Sequence, residues 1–263
     1  MTYVSSLEMP ESRYGLGQVV RSEITKLASL RSTFWTLLVT AVGTLAVTFL
    51  STESVGHHPA RWYQGFDPTS QSMSGLALGA LAIGVFGILA VTGEYGTGTI
   101  RSSLAAAPRR PLLLLGKTIV VGTAALALGE VLIFGAFGLG QVTLAGQGAP
   151  TAALDQPGVL RAVVLSGAFL SLLGLLGLGL GVIIRHTAGA MAAYVGITFL
   201  LPILVTKFPG NLVRFTPLGI ANSLTDVVRQ GNQLAAPVGF VLIVVYCVIL
   251  LGLGATFLAR RDA

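Results

Sequence analysis

Six apolar runs of roughly twenty residues divide the chain, at 34–50, 73–92, 118–140, 162–184, 187–206 and 237–258. A helix of about twenty residues, rising ~1.5 Å per residue, just crosses the ~30 Å hydrocarbon layer of a bilayer. Inside that layer a lipid-exposed segment must satisfy its own backbone hydrogen bonds, so each run folds as a helix. Charged residues make up only 10% of the 263 residues and mean hydropathy is +0.82, whereas a soluble domain carries about 25% charge. The expectation is therefore an all-α, polytopic membrane protein with six transmembrane helices over 34–258. The 34 glycines suit helices that pack closely in lipid. The only cysteine, Cys247, lies within a run, which excludes an intramolecular disulfide or a thiolate metal cluster. The first 33 residues hold no apolar stretch of signal-peptide length, so the first span is expected to act as its own insertion signal.

Charge sets the orientation. The sequence holds 16 Lys and Arg against 10 Asp and Glu. Six spans place both termini on one side, and that side carries Arg13, Arg21, Lys26, Arg31, Arg101, Arg109, Arg110, Lys117, Arg185, Arg260 and Arg261. Arg61, Arg161, Lys207, Arg214 and Arg229 fall on the other. The positive-inside rule makes both termini cytoplasmic. It also accounts for the basic balance without invoking nucleic acid.

Ahead of the first span, Leu16, Val20, Ile24 and Leu27 recur at helical spacing. Gln18, Arg21, Ser22, Thr25, Lys26 and Ser29 fill the other face. This is an amphipathic helix suited to the headgroup region. Residues 1–33 thus read as a cytoplasmic N-terminus with an interfacial helix, and 259–263 as a cytoplasmic tail. The loop 207–236 is apolar for its position, with Phe208, Leu212, Phe215, Leu218, Ile220 and Leu224. Short external helices, re-entrant or lying on the surface, are expected there, and a kink or end at Pro202.

The most informative polar segment is 93–117, GEYGTGTIRSSLAAAPRRPLLLLGK. Arg101, Arg109, Arg110 and Lys117 face only Glu94. Thr97 and Thr99 are candidate N-caps for a helix over 99–107 that stops before Pro108. Such a helix, lying along the membrane face, offers a grip to a soluble partner. Gly116–Lys117–Thr118 mimics the end of a phosphate-binding loop, but Pro111 stands where that motif needs glycine and four leucines fill the cradle. The chain therefore has no visible ATPase of its own.

Other features carry less chemistry. Glu130 is the one carboxylate deep in an apolar run. A charge there costs ~3 kcal/mol or more, which makes it a candidate for a translocation pathway. His57–His58 lacks a third ligand, so no metal site is expected. No nucleophile, base and acid come together, so no catalytic residues are assigned and no enzyme activity is expected. Gly75-x-x-x-Gly79 and Gly177-x-x-x-Gly181 read as packing notches.

Two segments together resemble the ABC-2-type transporter permeases of actinobacteria. RSEITKLASLRSTFWTLL at 21–38 resembles their N-terminal entry, and the 93–117 stretch resembles their coupling region. The matching residues in the second are Glu94, Tyr95, Thr97, Gly98, Thr99, Ile100 and Arg101, with Gly96 at a variable position. Arg185–His186–Thr187–Ala188–Gly189 is similar to the family's turn between spans four and five. The resemblance implies a type V exporter-like fold in a bacterial plasma membrane, with an elbow helix at 16–31. It implies a permease subunit that works as a homodimer or beside a related permease, with two copies of a separate ATP-binding subunit. ATP and Mg would be bound by that partner, with no cofactor in this chain. The expected role is export of a hydrophobic or amphiphilic substrate such as a drug, peptide or lipid. Two other readings stay open at this point: a gradient-driven transporter or channel that uses Glu130, and a non-transporting membrane scaffold.

Overall fold

The computed structural model describes residues 15–29, 31–56, 65–99, 110–208, 210–228 and 233–260. The described residues fold into helices and turns, with no strand among them. In chain order they form α1 (Leu16–Ser29), α2 (Arg31–Gly56), α3 (Pro68–Ser72), α4 (Leu76–Thr97), α5 (Arg110–Gly146) and α6 (Val159–Ile184). Then come α7 (Thr187–Val195), a π-helical turn (Gly196–Leu200), α8 (Leu201–Val205), a 3-10 turn (Leu212–Phe215), α9 (Pro217–Thr225) and α10 (Ala236–Arg260). Among the described residues six segments are long and apolar enough to cross a membrane: Trp35–Val55, Leu76–Thr97, Pro111–Gly146, Val159–Ile184, Thr187–Val205 and Ala236–Arg260. The chain is an all-α, multi-pass membrane protein.

Every span but the fifth is longer than its apolar run. The third is the extreme case, because α5 has 37 residues, or ~55 Å at the helical rise, against ~30 Å of hydrocarbon. Pro111 sits in its first turn, where a missing N–H costs nothing, so the helix begins at Arg110 and takes Lys117 into its body. At the other side of the polar stretch, α4 continues to Thr97. Thr97 therefore closes a helix rather than capping the next. Its Oγ1 donates to the Gly93 carbonyl at 2.9 Å, and Gly98 adopts the left-handed conformation (φ +73°) that terminates α4. The helix expected over 99–107 falls almost wholly on 100–109, which lie outside the described residues together with Ile100 and Arg101.

α6 is the central helix, packed by α4, α5 and α10, and Phe169, Leu170, Leu173, Leu176 and Leu178 are fully buried. Lipid tails are as apolar as leucine, so helices in a bilayer associate through close packing rather than hydrophobic burial. Glycine supplies the closeness. A Cβ on Gly177 would strike the Gly84 carbonyl, and one on Gly87 would strike the Gly174 carbonyl. Gly129 of α5 likewise rests on the Gly167 carbonyl of α6. α2 docks through a threonine ladder, Thr40, Thr44, Thr48 and Thr52, each at most 3% exposed. Gly75 and Gly79 of the α4 side lie against Thr44 and Thr48. Two of these hydroxyls return to their own helix, Thr40 donating to the Thr36 carbonyl at 2.6 Å and Thr52 to that of Thr48 at 2.8 Å, while Thr48 Oγ1 accepts the Gly75 N–H at 3.3 Å.

In the fifth span Pro202 provides no N–H, and the ladder adjusts upstream: the Leu201 N–H reaches back to the Gly196 carbonyl as a π-turn. Tyr194, fully buried, ties this span to α4 by donating to the Ala80 carbonyl at 2.6 Å, its ring lying on Gly84. At the end of the molecule remote from α1, Asp67 takes four backbone N–H groups. One oxygen caps α3 through Thr69 and Ser70, and the other accepts from Val227 (2.6 Å) and Val228 (2.9 Å). The described part of the 207–236 segment thus holds a 3-10 turn and α9 over the bundle, with Ile220 and Leu224 fully buried.

Gly177→Leu should force α4 and α6 apart. Overpacking of this kind costs ~1–3 kcal/mol, read as a lowered Tm in detergent. The same substitution at Gly252, where an added Cβ meets nothing within 4 Å, should leave Tm unchanged.

Candidate functional site: a charged collar at the basic end

Four charged side chains from three helices meet where α1 crosses the bundle. Lys117 of α5 is at the centre. Its Nζ donates to Glu23 Oε2 at 2.6 Å, Glu94 Oε1 at 2.7 Å and the Ala90 carbonyl at 3.3 Å, so all three ammonium protons are used. Lys26 of α1 donates to Glu23 Oε1 at 2.7 Å and Glu94 Oε1 at 2.9 Å. The side chains of Lys117, Glu23 and Glu94 are 3%, 6% and 12% exposed, while Lys26 forms the rim at 37%. Two acids and two bases cancel. A buried quartet of this kind tolerates its desolvation only because each charge is met by hydrogen bonds.

Local sequence places each member. Gly116, one residue before Lys117, makes the notch that receives α1: an added Cβ would lie 2.5 Å from Val19 Cγ1. Val19 and Glu23 are one helical turn apart and are the buried positions of α1, at 1% and 5% exposure. The docking face is thus rotated from the apolar stripe read in the sequence. Leu16, Val20 and Leu27 are only half-buried and Ile24 is 53% exposed, on the side turned away from the bundle. Gly116–Lys117, which mimics a phosphate loop in sequence, instead holds the elbow.

The collar continues through the residue next to Glu94. The Arg185 guanidinium lies 5.5 Å from the Tyr95 ring centroid and donates to the Phe257 carbonyl of α10 at 3.4 Å. Arg185 ends α6 in the left-handed conformation (φ +59°), and His186 caps α7 by accepting the Gly189 N–H at 3.3 Å. Glu94 and Tyr95 therefore join the end of α4 to α1 and α5 on one side, and to the α6–α7 turn and the last turn of α10 on the other. Glu94 Oε2 and Tyr95 Oη are buried without a partner among the described residues.

Of the residues expected to couple to a partner, Glu94 and Tyr95 point into this collar, and Thr97, Gly98 and Thr99 are exposed just beyond it. Ile100 and Arg101 follow outside the described residues. Glu130 lies elsewhere, on α5, with its carboxyl over Gly167 of α6. Among the described residues no cluster of His, Cys, Asp or Glu has metal-binding geometry, and His57 and His58 lie outside them. Glu23 is not singled out by the sequence pattern, although an acid lying between Val19 and Leu27 on the helical wheel is a signal for a buried countercharge.

Burial of Lys26 works against its charge, but hydrogen bonds to Glu23 and Glu94, and their negative charges, outweigh it and raise its pKa above the ordinary 10.5. A raised lysine pKa contributes stability that is full below the unfolded value and is lost as pH rises through the folded one. The Lys26 contribution is therefore complete at neutral pH and falls away only in strong alkali.

With this geometry in place, comparison with protein families is decisive. The model of the ABC-2 family transporter proteins matches residues 45–263, and the chain belongs to that family: it is a membrane-embedded permease subunit of an ABC transporter. The match covers Glu94 and Lys117 and begins after Glu23 and Lys26. No curated protein matches the chain.

Lys117→Met leaves the buried carboxyls of Glu23 and Glu94 with only the rim Lys26 to share. Breaking a buried pair in this way costs about 3–5 kcal/mol. Lys26→Met at the rim should cost about 1 kcal/mol or less. Thermal unfolding of both variants in detergent at pH 7 checks the order.

Proposed function

We propose that this permease is the membrane half of an exporter powered by ATP hydrolysis in a separate nucleotide-binding subunit. Two such subunits pair with two permeases, this chain with a second copy or with a related one. ATP and Mg belong to the partner. The setting is a bacterial plasma membrane with the basic end cytoplasmic, as the asymmetry of Lys and Arg favours.

The collar is the observation that carries this reading. The exposed Thr97–Gly98–Thr99 corner leads into the 100–109 segment, which holds Arg101 and Arg109. An ATPase that grips this stretch pulls first on the end of α4. Glu94 and Tyr95 pass the pull to α1, α5, the α6–α7 turn and α10 through ion pairs and stacking. These ends move together as one body, and closure of the ATPase pair becomes a rigid shift of the spans. Glu94 acts here by transmitting force from within the collar, and Arg101 by meeting the partner. The nearly uncharged spans suit a hydrophobic or amphiphilic cargo that reaches the pathway from lipid.

Co-expression with candidate ABC ATP-binding subunits from the same organism tests the proposal. A stoichiometric complex whose ATPase runs in lipid is expected. Arg101→Glu should weaken partner binding roughly tenfold or more, since a like charge at a docking surface costs several kcal/mol, while the permease Tm stays unchanged. A permease that retains no ATPase, or a charge reversal without effect, would overturn the assignment.

A further inference from the structure

Glu130 stands apart from the collar. It lies 13 residues along α5 from Lys117 and 11 residues before Gln141, placing it ~20 Å and ~17 Å from the two polar layers by the helical rise. Gln141 belongs to the opposite layer, donating to the Pro68 carbonyl and Ser72 Oγ. Glu130 is thus near mid-membrane. Its carboxyl fits there because Gly167 has no side chain; a Cβ at Gly167 would lie 2.6–2.8 Å from the carboxyl atoms.

This acid has no countercharge among the described residues. Between Lys117 and Gly146 α5 carries no Lys, Arg or His, and neither do the spans Trp35–Val55, Leu76–Thr97 and Thr187–Val205. Arg260 is at the far end of α10. Arg161 is the only cation of α6, and its guanidinium is directed toward Gly158, away from Gly167. Glu130 makes no hydrogen bond among the described residues, and its Oε2 is buried and unpartnered. The residue is nevertheless part-exposed, beside Val131 (70% exposed) on the outer surface of α5. Leu126 and Phe134 on α5 and Val164 on α6 are exposed as well. The seam of α5 and α6 therefore offers one carboxyl to whatever arrives from the hydrocarbon.

We propose that Glu130 binds the cationic head of a lipophilic organic cation that enters the α5–α6 seam from the bilayer. A small inorganic cation would have to shed its water with a single carboxyl to replace it. An organic cation with an apolar body brings no such shell, and its body rests on Leu126, Val131, Phe134 and Val164. This deepens the transport reading above by naming a charge class for the cargo.

The probe is tetraphenylphosphonium, with tetraphenylborate as the anion of nearly the same shape. Equilibrium binding is measured on the full-length chain alone in phosphatidylcholine nanodiscs. Saturable binding of the phosphonium is expected, weakened roughly tenfold or more by Glu130→Gln, the loss of about 1.4 kcal/mol or more, and largely retained by Glu130→Asp. Gly167→Ala should weaken it too, by displacing the carboxyl. Borate binding should be indifferent to Glu130. Wild-type protein without saturable phosphonium binding, or a Gln variant that binds as well as wild type, would overturn the proposal. The assay contains no ATPase, so its failure leaves the ABC reading intact, and absence of an ATPase partner leaves a positive result standing.

Discussion

Everything at the basic end depends on Lys117 being inside rather than outside. Its ammonium is shared by an acid from the elbow and an acid from the end of α4. Without it, α1 would lose its buried pair and keep the Val19 contact on Gly116 and the rim pair of Lys26 with Glu94. With it, the elbow is fixed to the bundle at one point by charge and at the adjacent point by Val19 seated on Gly116. A buried ion pair is weak evidence for stability, since desolvation offsets the attraction. It is better evidence for register: only one placement of α1 brings Glu23 to Lys117 while Lys26 reaches Glu94.

The two ends of the bundle are held differently. The basic end uses charges joining side chains of separate helices. The opposite end uses one carboxylate on backbone: Asp67 secures both the start of α3 and the chain after α9. Between them the interior is tied by glycine and threonine contacts, without charge. Such contacts fix the distance between helices. On the coupling proposed above, a bundle with a charged collar, a waist without ion pairs among the described residues and a backbone-latched far end answers a pull at the collar through its spans. The π-turn above Pro202 adds a point of adjustment in the fifth span.

The six spans, the elbow and the short helix after the fifth span are legible in the sequence because hydropathy and periodicity reflect local physics. The collar is not, for specific reasons. Lys117 reads as a loop residue because the apolar run begins after it, yet Pro111 permits the helix to start earlier. Glu23 is a single acid on a mixed helix, and only the tertiary position of Gly116 shows what it faces. Gly98 as the terminator of α4 was available from Thr-Gly-Thr, but a threonine before a helix-forming run reads equally well as an N-cap. The threonine ladder at 40, 44, 48 and 52 has a visible period of four. Hydropathy ranks threonine as neutral, so it leaves no mark in an apolar profile.

The claim that the elbow and α4 move as one body has a direct measurement. Gln18 and Gly93 are both exposed, and the only native cysteine, Cys247, is buried, so spin labels can be placed at 18 and 93 with little competition. Their separation is measured by pulsed electron resonance in the assembled transporter, nucleotide-free and trapped with ATP, alongside the distance from position 93 to a label on the second permease, whether a second copy or a related chain. The account predicts an 18-to-93 distance that keeps its mean and width while the distance across the assembly changes. An 18-to-93 distance that shifts or broadens with nucleotide would contradict it, because the elbow would then be moving independently of the helix it is supposed to follow.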